Sequence, residues 1–123
     1  MVYAPGLADF RAVIVTLHVP LDESTRNLID EQVLAAMKPG SVLVNTARGG
    51  LVDEKALDRA LRDSRAPVSV AAVDVFRTEG AERESPLIGN PYCILSPHVA
   101  GMTWSAMRQA VFDLCARITE APG

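Results

Sequence analysis

The feature that most constrains this chain is the regular alternation of short apolar, β-branched runs with amphipathic helical patterns from about residue 12 onward. Ala12–Leu17 is a continuous run of the kind expected for a strand buried on both faces. Asp30 can cap a helix with apolar positions Val33, Leu34 and Met37, and Lys38–Pro39–Gly40 stops it because proline cannot continue the ladder. Ser41–Asn45 reads as a second buried strand, leading into the short loop Thr46–Gly50. Asp53 is the next cap, ahead of an apolar stripe made by Ala56, Leu57, Ala60 and Leu61. A third strand covers about Val68 to Val75, the polar and non-periodic segment Arg77 to Pro86 reads as a loop, and Cys93–Leu95 is a short fourth strand. Thr103 then caps a final helix whose apolar face is Trp104, Met107, Val111, Leu114, Cys115 and Ile118.

This β-α-β-α-β-loop-β-α order predicts an α/β fold, a parallel sheet covered by helices. Right-handed crossovers place all the strand C-termini on one edge, and ligands of such sheets sit beyond that edge. His18, Arg48, Asp74, Glu79 and His98 all follow strands and so converge there. That convergence is the first argument for function.

Composition narrows the classes. A chain of 123 residues is one domain at most, and 49% hydrophobic residues with a formal charge of −3 predict a soluble globular protein. No Lys/Arg cluster suggests a nucleic-acid partner, and Ala12–Leu17 is far too short to span a bilayer. The N-terminus lacks a basic start followed by a long apolar stretch, so the expectation is a cytoplasmic protein without a membrane partner. Cys93 and Cys115 make no disulfide framework, and with no zinc-ligand spacing no metal is expected; both read as reduced, partly buried thiols.

Reduction of a 2-keto acid by a nicotinamide needs three kinds of group. The substrate carboxylate asks for a planar, permanently charged, bidentate partner, which favours Arg over Lys. The carbonyl oxygen asks for an acid that titrates near neutrality, the property of His, and a carboxylate beside that His would orient it and stabilise its charged form. Arg48, His98 and Glu79 supply one of each from three strand ends. Taken singly, each has a plainer reading: Arg48 as a surface arginine in a Gly-flanked turn, Glu79 as a solvated charge, His98 as a structural histidine. Asp74 is harder to dismiss, because a carboxylate within Val73–Asp74–Val75 is costly without a partner.

Several motifs occur in a fixed order: Leu17–His18–Val19–Pro20–Leu21, Thr25–Ile29, Met37–Gly40, Asn45–Asp53, Asp74–Glu79 and Ser96–Gly101. Together they closely resemble the nicotinamide-binding domain of the D-isomer-specific 2-hydroxyacid dehydrogenases, over about residues 12 to 115. The resemblance implies the second half of a Rossmann-type doubly wound parallel sheet, truncated at the N-terminus, with an upstream remnant at 1–11, a partial NAD(P)-binding domain at 12–119 and a tail at 120–123. It implies NAD or NADP as cofactor and a small 2-keto or 2-hydroxy acid as substrate. Arg48 would hold the substrate carboxylate and polarise the carbonyl, His98 would be the acid in reduction and the base in oxidation, and Glu79 would pair with His98. Asp74 would contact the nicotinamide carboxamide. Val19, Pro20, Thr46, Ala47, Arg48, His98 and Gly101 would complete the cofactor surface. His18 also matches a family motif and reads as structural.

Two departures stand out. Gly80 follows Glu79 where the family usually has proline, which predicts a less stiff loop and a weaker hold on His98. Tyr92 replaces a commonly polar residue. No G-x-G-x-x-G occurs, so the loop that would hold the pyrophosphate is missing. Without a neighbour for the first strand, Ala12–Leu17 would be an apolar edge. A homodimer, a separately encoded N-terminal half or aggregation is expected, with no useful dehydrogenase activity from the chain alone. The alternatives from other classes are a non-catalytic, dehydrogenase-like binding or corepressor module, and a truncated gene product without activity.

Overall fold

The computed structural model describes residues 13–80 and 84–119, without the side chains of helical residues 116–119. The expectations for residues 1–11, for Ala12, for the Ile118 side chain and for the tail at 120–123 lie outside the described residues. The elements are β1 (Ile14–Leu17), α1 (Glu31–Ala36), β2 (Ser41–Asn45), α2 (Glu54–Arg62), β3 (Val68–Val73), β4 (Cys93–Leu95) and α3 (Trp104–Thr119). The strands form one parallel sheet in the order β1-β2-β3-β4, with Leu43 level with Val15 on one side and Ala71 on the other. This is the α/β architecture expected from the alternating pattern.

The two short helices start where the sequence says they should. Asp30 accepts from the Val33 amide at 2.9 Å, and Asp53 accepts from the Lys55 and Ala56 amides at 3.0 Å each. α1 ends before Pro39, and Gly40 turns the chain at φ +81°. α1 and α2 pack on each other and on one face of the sheet, closing Val33, Leu34, Leu57 and Leu61 over Val15, Leu17, Leu43, Val68 and Val73. Full burial of each such side chain contributes on the order of 1.5–3 kcal/mol. The segment between β1 and α1 is pinned by a parallel bridge between Ile29 and Val52, with the Asn27 amide donating to the Gly50 carbonyl at 2.9 Å.

Three expectations are corrected. β1 is buried on one face only, and Ile14 is 63% exposed. The reason is that α1 and α2 lie on the same side of the sheet, so the side chains that point the other way meet no cover among the described residues. α3 forms as expected, with Thr103 Oγ1 accepting from the Ala106 amide at 3.2 Å, yet its apolar stripe does not pack on the sheet; Trp104 is 82% exposed, and Met107, Val111 and Leu114 are exposed too. Of the two cysteines, Cys93 is half-buried but Cys115 is exposed, because it lies on that outward helix. No helix among the described residues is long and apolar enough to cross a membrane.

Candidate active site

Two buried polar residues end the central strands, and each organises the loop that follows it. Asn45 closes β2: its Nδ2 donates to the Arg48 carbonyl at 3.0 Å, and its Oδ1 accepts from the Ala47 amide at 3.1 Å. The Thr46–Gly50 loop is thereby wound tightly enough that Gly49 lies against the peptide joining Phe76 to Arg77. A Cβ at that position would overlap the Phe76 carbonyl and the Arg77 nitrogen, so only glycine fits. Arg48 itself is exposed at the tip, its guanidinium donating to the Ala47 carbonyl at 2.6 Å.

Asp74 follows β3 and is 3% exposed. Its amide continues the ladder by donating to the Asn45 carbonyl at 2.9 Å. Its carboxylate collects the Ser96 hydroxyl, the Val99 amide at 2.9 Å and the Ala100 amide at 2.8 Å, while its carbonyl accepts from the His98 amide at 2.7 Å. Burial pushes this carboxyl upward, but the bonds from Ser96, Ala100 and Val99, with the His98 charge, outweigh it and hold it below the usual carboxylate range. The partner that the sequence demanded for Asp74 is therefore the Ser96–Ala100 loop, held in a turn with His98 at φ +58°.

His98 Nδ1 lies 2.8 Å from Glu79 Oε2, and Glu79 Oε1 accepts from the Phe76 amide at 3.2 Å. With the carboxylate as acceptor, Nδ1 carries a proton, and Nε2 is the ring nitrogen available to exchange one. Both side chains are partly exposed. Glu79 is held at both oxygens, so the expected loosening by Gly80 does not separate the pair. Gly80 adopts φ +106°, a conformation closed to proline, so the departure from the family pattern changes the path of the loop.

The remaining predicted residues sit along the same edge. Val19 and Ala47 are half-buried against the core, and Pro20, Thr46 and Gly101 are exposed. His18 uses Nε2 to bond Thr16 Oγ1 at 2.9 Å, on its own strand. Sequence reasoning missed Asn45 and Glu54. Asn45 carried the signal of a polar residue closing an apolar strand. Glu54, which accepts from the Arg77 amide at 2.6 Å and the Ser85 hydroxyl at 2.7 Å, shares a helical stripe with Leu57 and Leu61 and is buried with them.

Comparison with known proteins identifies a family and a fold. Residues 10–100 match the family described as D-isomer specific 2-hydroxyacid dehydrogenase, NAD binding domain. The chain is 53% identical over 93 residues to the (S)-sulfolactate dehydrogenase of Chromohalobacter salexigens, covering 76% of this chain and 29% of that protein. Among solved structures it is similar to the NAD-complexed D-isomer specific 2-hydroxyacid dehydrogenase of Lactobacillus delbrueckii ssp. bulgaricus, with a TM-score of 0.74, 30% identity, and coverage of 93% of this chain and 39% of that one. It is also similar to an acyclic imino acid reductase in complex with NADPH and D-Arg, with a TM-score of 0.79, 31% identity, and coverage of 89% and 34%. The chain spans between 18% and 36% of the length of such curated relatives.

Proposed function

The chain belongs to the D-isomer-specific 2-hydroxyacid dehydrogenase family, in its NAD-binding domain, and on that premise we propose that it carries the acid–base half of a hydride-transfer site acting on a small 2-keto or 2-hydroxy acid. The observation that carries this reading is the contact of His98 Nδ1 with Glu79 Oε2 at 2.8 Å. A carboxylate on one ring nitrogen fixes the tautomer and stabilises the charged ring, which leaves the other nitrogen to give a proton to a carbonyl oxygen or take one from a hydroxyl. Arg48, exposed at the same edge, pairs with the substrate carboxylate once its guanidinium turns from the Ala47 carbonyl.

The residues present fit the nicotinamide end of NAD or NADP. Val19, Pro20, Thr46, Ala47 and Gly101 follow strand C-termini, as Arg48 and His98 do, and would supply small groups along the nicotinamide. Asp74 Oδ2 accepts one backbone amide and keeps acceptor capacity for a carboxamide. When bound, the dinucleotide supplies the hydride. The chain supplies no glycine loop for the pyrophosphate, so the rest of the cofactor needs residues from elsewhere. A cytoplasmic location and assembly as a homodimer or with an N-terminal half belong to the same proposal.

The test is a chimera in which residues 12–119 replace the matching segment of the Chromohalobacter sulfolactate dehydrogenase. Nicotinamide-dependent turnover is expected, and His98→Gln should lower it by about 10²–10⁴-fold. A folded chimera that binds NADH without turning over would sink the catalytic reading and favour a nucleotide-binding module.

A further inference from the structure

Acid–base chemistry at His98 leaves one buried carboxylate among the described residues without a role. Glu54, the first residue of α2, is 6% exposed. A carboxylate in that position is costly unless its oxygens are bonded, and both are: Oε1 takes the Arg77 amide at 2.6 Å, and Oε2 takes the Ser85 hydroxyl at 2.7 Å. These two bonds flank Glu79 in the sequence, one on each side.

The segment gripped in this way is the one that orients the histidine. The Phe76 amide, one residue before the first grip, donates to Glu79 Oε1 at 3.2 Å, and Glu79 Oε2 meets His98 Nδ1 at 2.8 Å. The same Phe76–Arg77 peptide is the surface on which Gly49 rests, next to Arg48. The Arg77 side chain ties it further, donating to the Val52 carbonyl at 3.3 Å and to Asn27 Oδ1. We propose that Glu54 is a positioning residue: by holding Arg77 and Ser85 it sets Glu79 against His98 and thereby fixes the ring tautomer. The proposal rests on the Glu79–His98 reading above but makes no use of turnover.

The chemistry of the two bonds separates the informative variants. Glu54→Ala removes both acceptors. Glu54→Gln keeps an acceptor for the Arg77 amide and offers an N–H to the Ser85 hydroxyl, which can reverse its role, so both bonds survive while the charge is lost.

The chain has two histidines, so nitrogen–proton NMR of the imidazoles on the 123-residue chain gives two ring systems, assigned with His18→Asn. The neutral His98 ring is expected as the Nδ1–H tautomer. Glu79→Gln measures what loss of the carboxylate does to the tautomer ratio. Glu54→Ala is expected to move the ratio in the same direction by about threefold or more, and Glu54→Gln by less than about half as much. Ser85→Ala, which leaves α2 untouched, should give a smaller shift of the same sign and carries the test if Glu54→Ala fails to fold. A folded Glu54→Ala chain with the ratio of the unaltered protein, while Glu79→Gln changes it, overturns the proposal alone. A Glu54→Gln effect as large as that of Glu54→Ala also overturns it, because charge rather than the two bonds would then be acting. An unchanged ratio in Glu79→Gln overturns both the proposal and the reading on which it rests.

Discussion

The two sides of the sheet are built from similar residues and treated in opposite ways. On one side Val15, Leu17, Leu43, Val68 and Val73 lie under α1 and α2, with little or no exposure. On the other, Ile14 and Ile94 stand outward beside no covering element among the described residues. A path that steps always in one direction along the sheet, with right-handed crossovers, puts successive helices on one side, which accounts for the asymmetry. Two of the polar groups that shape the candidate edge belong with the closed side: Glu54 comes from α2, and Asn45 is a buried residue of β2 level with Leu17 and Val73. The open side is an apolar surface of the sort that marks a contact region.

This contrast can be broken or sharpened by experiment. The largest effect belongs to the closed side. Leu57 is fully buried, and Leu57→Ala should lower stability by about 2–5 kcal/mol in urea unfolding, through lost transfer energy and a residual cavity. A loss below about 1 kcal/mol would mean that α2 is not packed as described.

Thiol chemistry gives the next contrast. Burial, with the Asp58 and Glu54 charges, pushes the Cys93 thiol up to about 11, whereas Cys115 is exposed. At pH 8 Cys93 should therefore react with iodoacetamide on the order of a hundredfold more slowly than an ordinary exposed thiol, and Cys115 should be labelled first. Peptide mass spectrometry after timed labelling reads this directly, and equal rates would show the closed side to be open in solution.

A smaller effect appears in acid. Because the folded Asp74 carboxyl is held below its ordinary value, the unfolded chain binds the proton more readily. The stability it contributes is present above the unfolded value of about 3.9 and is lost as pH falls through the folded one. Asp74→Asn should flatten that acid limb while leaving the neutral-to-alkaline profile parallel to the original. An unchanged slope below pH 4 would exclude Asp74 as its source. Least of all, Ile94→Ser on the open side should change unfolding free energy by no more than about 0.5 kcal/mol. If it costs as much as Leu57→Ala, that face is covered in solution, and light scattering should then report a mass above that of one chain.

Legibility in the sequence follows the range of the interactions involved. Caps at Asp30 and Asp53, the stop at Pro39 and the span of β2 are local, and hydrophobic periodicity with turn chemistry was enough to place them. The Glu79–His98 pair was reached through chemistry and motif order together, since alone Glu79 read as a solvated charge and His98 as a structural histidine. The exposure of β1 and α3 was not legible, because an apolar stripe says that a surface wants a partner and not whether one is present. Asn45 and Glu54 were missed for a related reason: their partners are main-chain amides, a main-chain carbonyl and one hydroxyl, and a partner carried by the main chain leaves no letter in the sequence. Gly80 shows the limit of comparing letters, since its consequence lies in a dihedral angle of +106°.

The donors that Asp74 gathers come from residues 22 to 26 positions later in the chain. Closing a loop of that length is an entropic cost, so the histidine turn is expected to form late in folding, after β4 has docked. By the same token it is a place where opening can occur without global unfolding, and hydrogen exchange at Val99 and Ala100 should run ahead of exchange at Leu43 in the sheet centre. The Glu79–His98 geometry in this architecture is thus expected to mature late, after the sheet on which it stands.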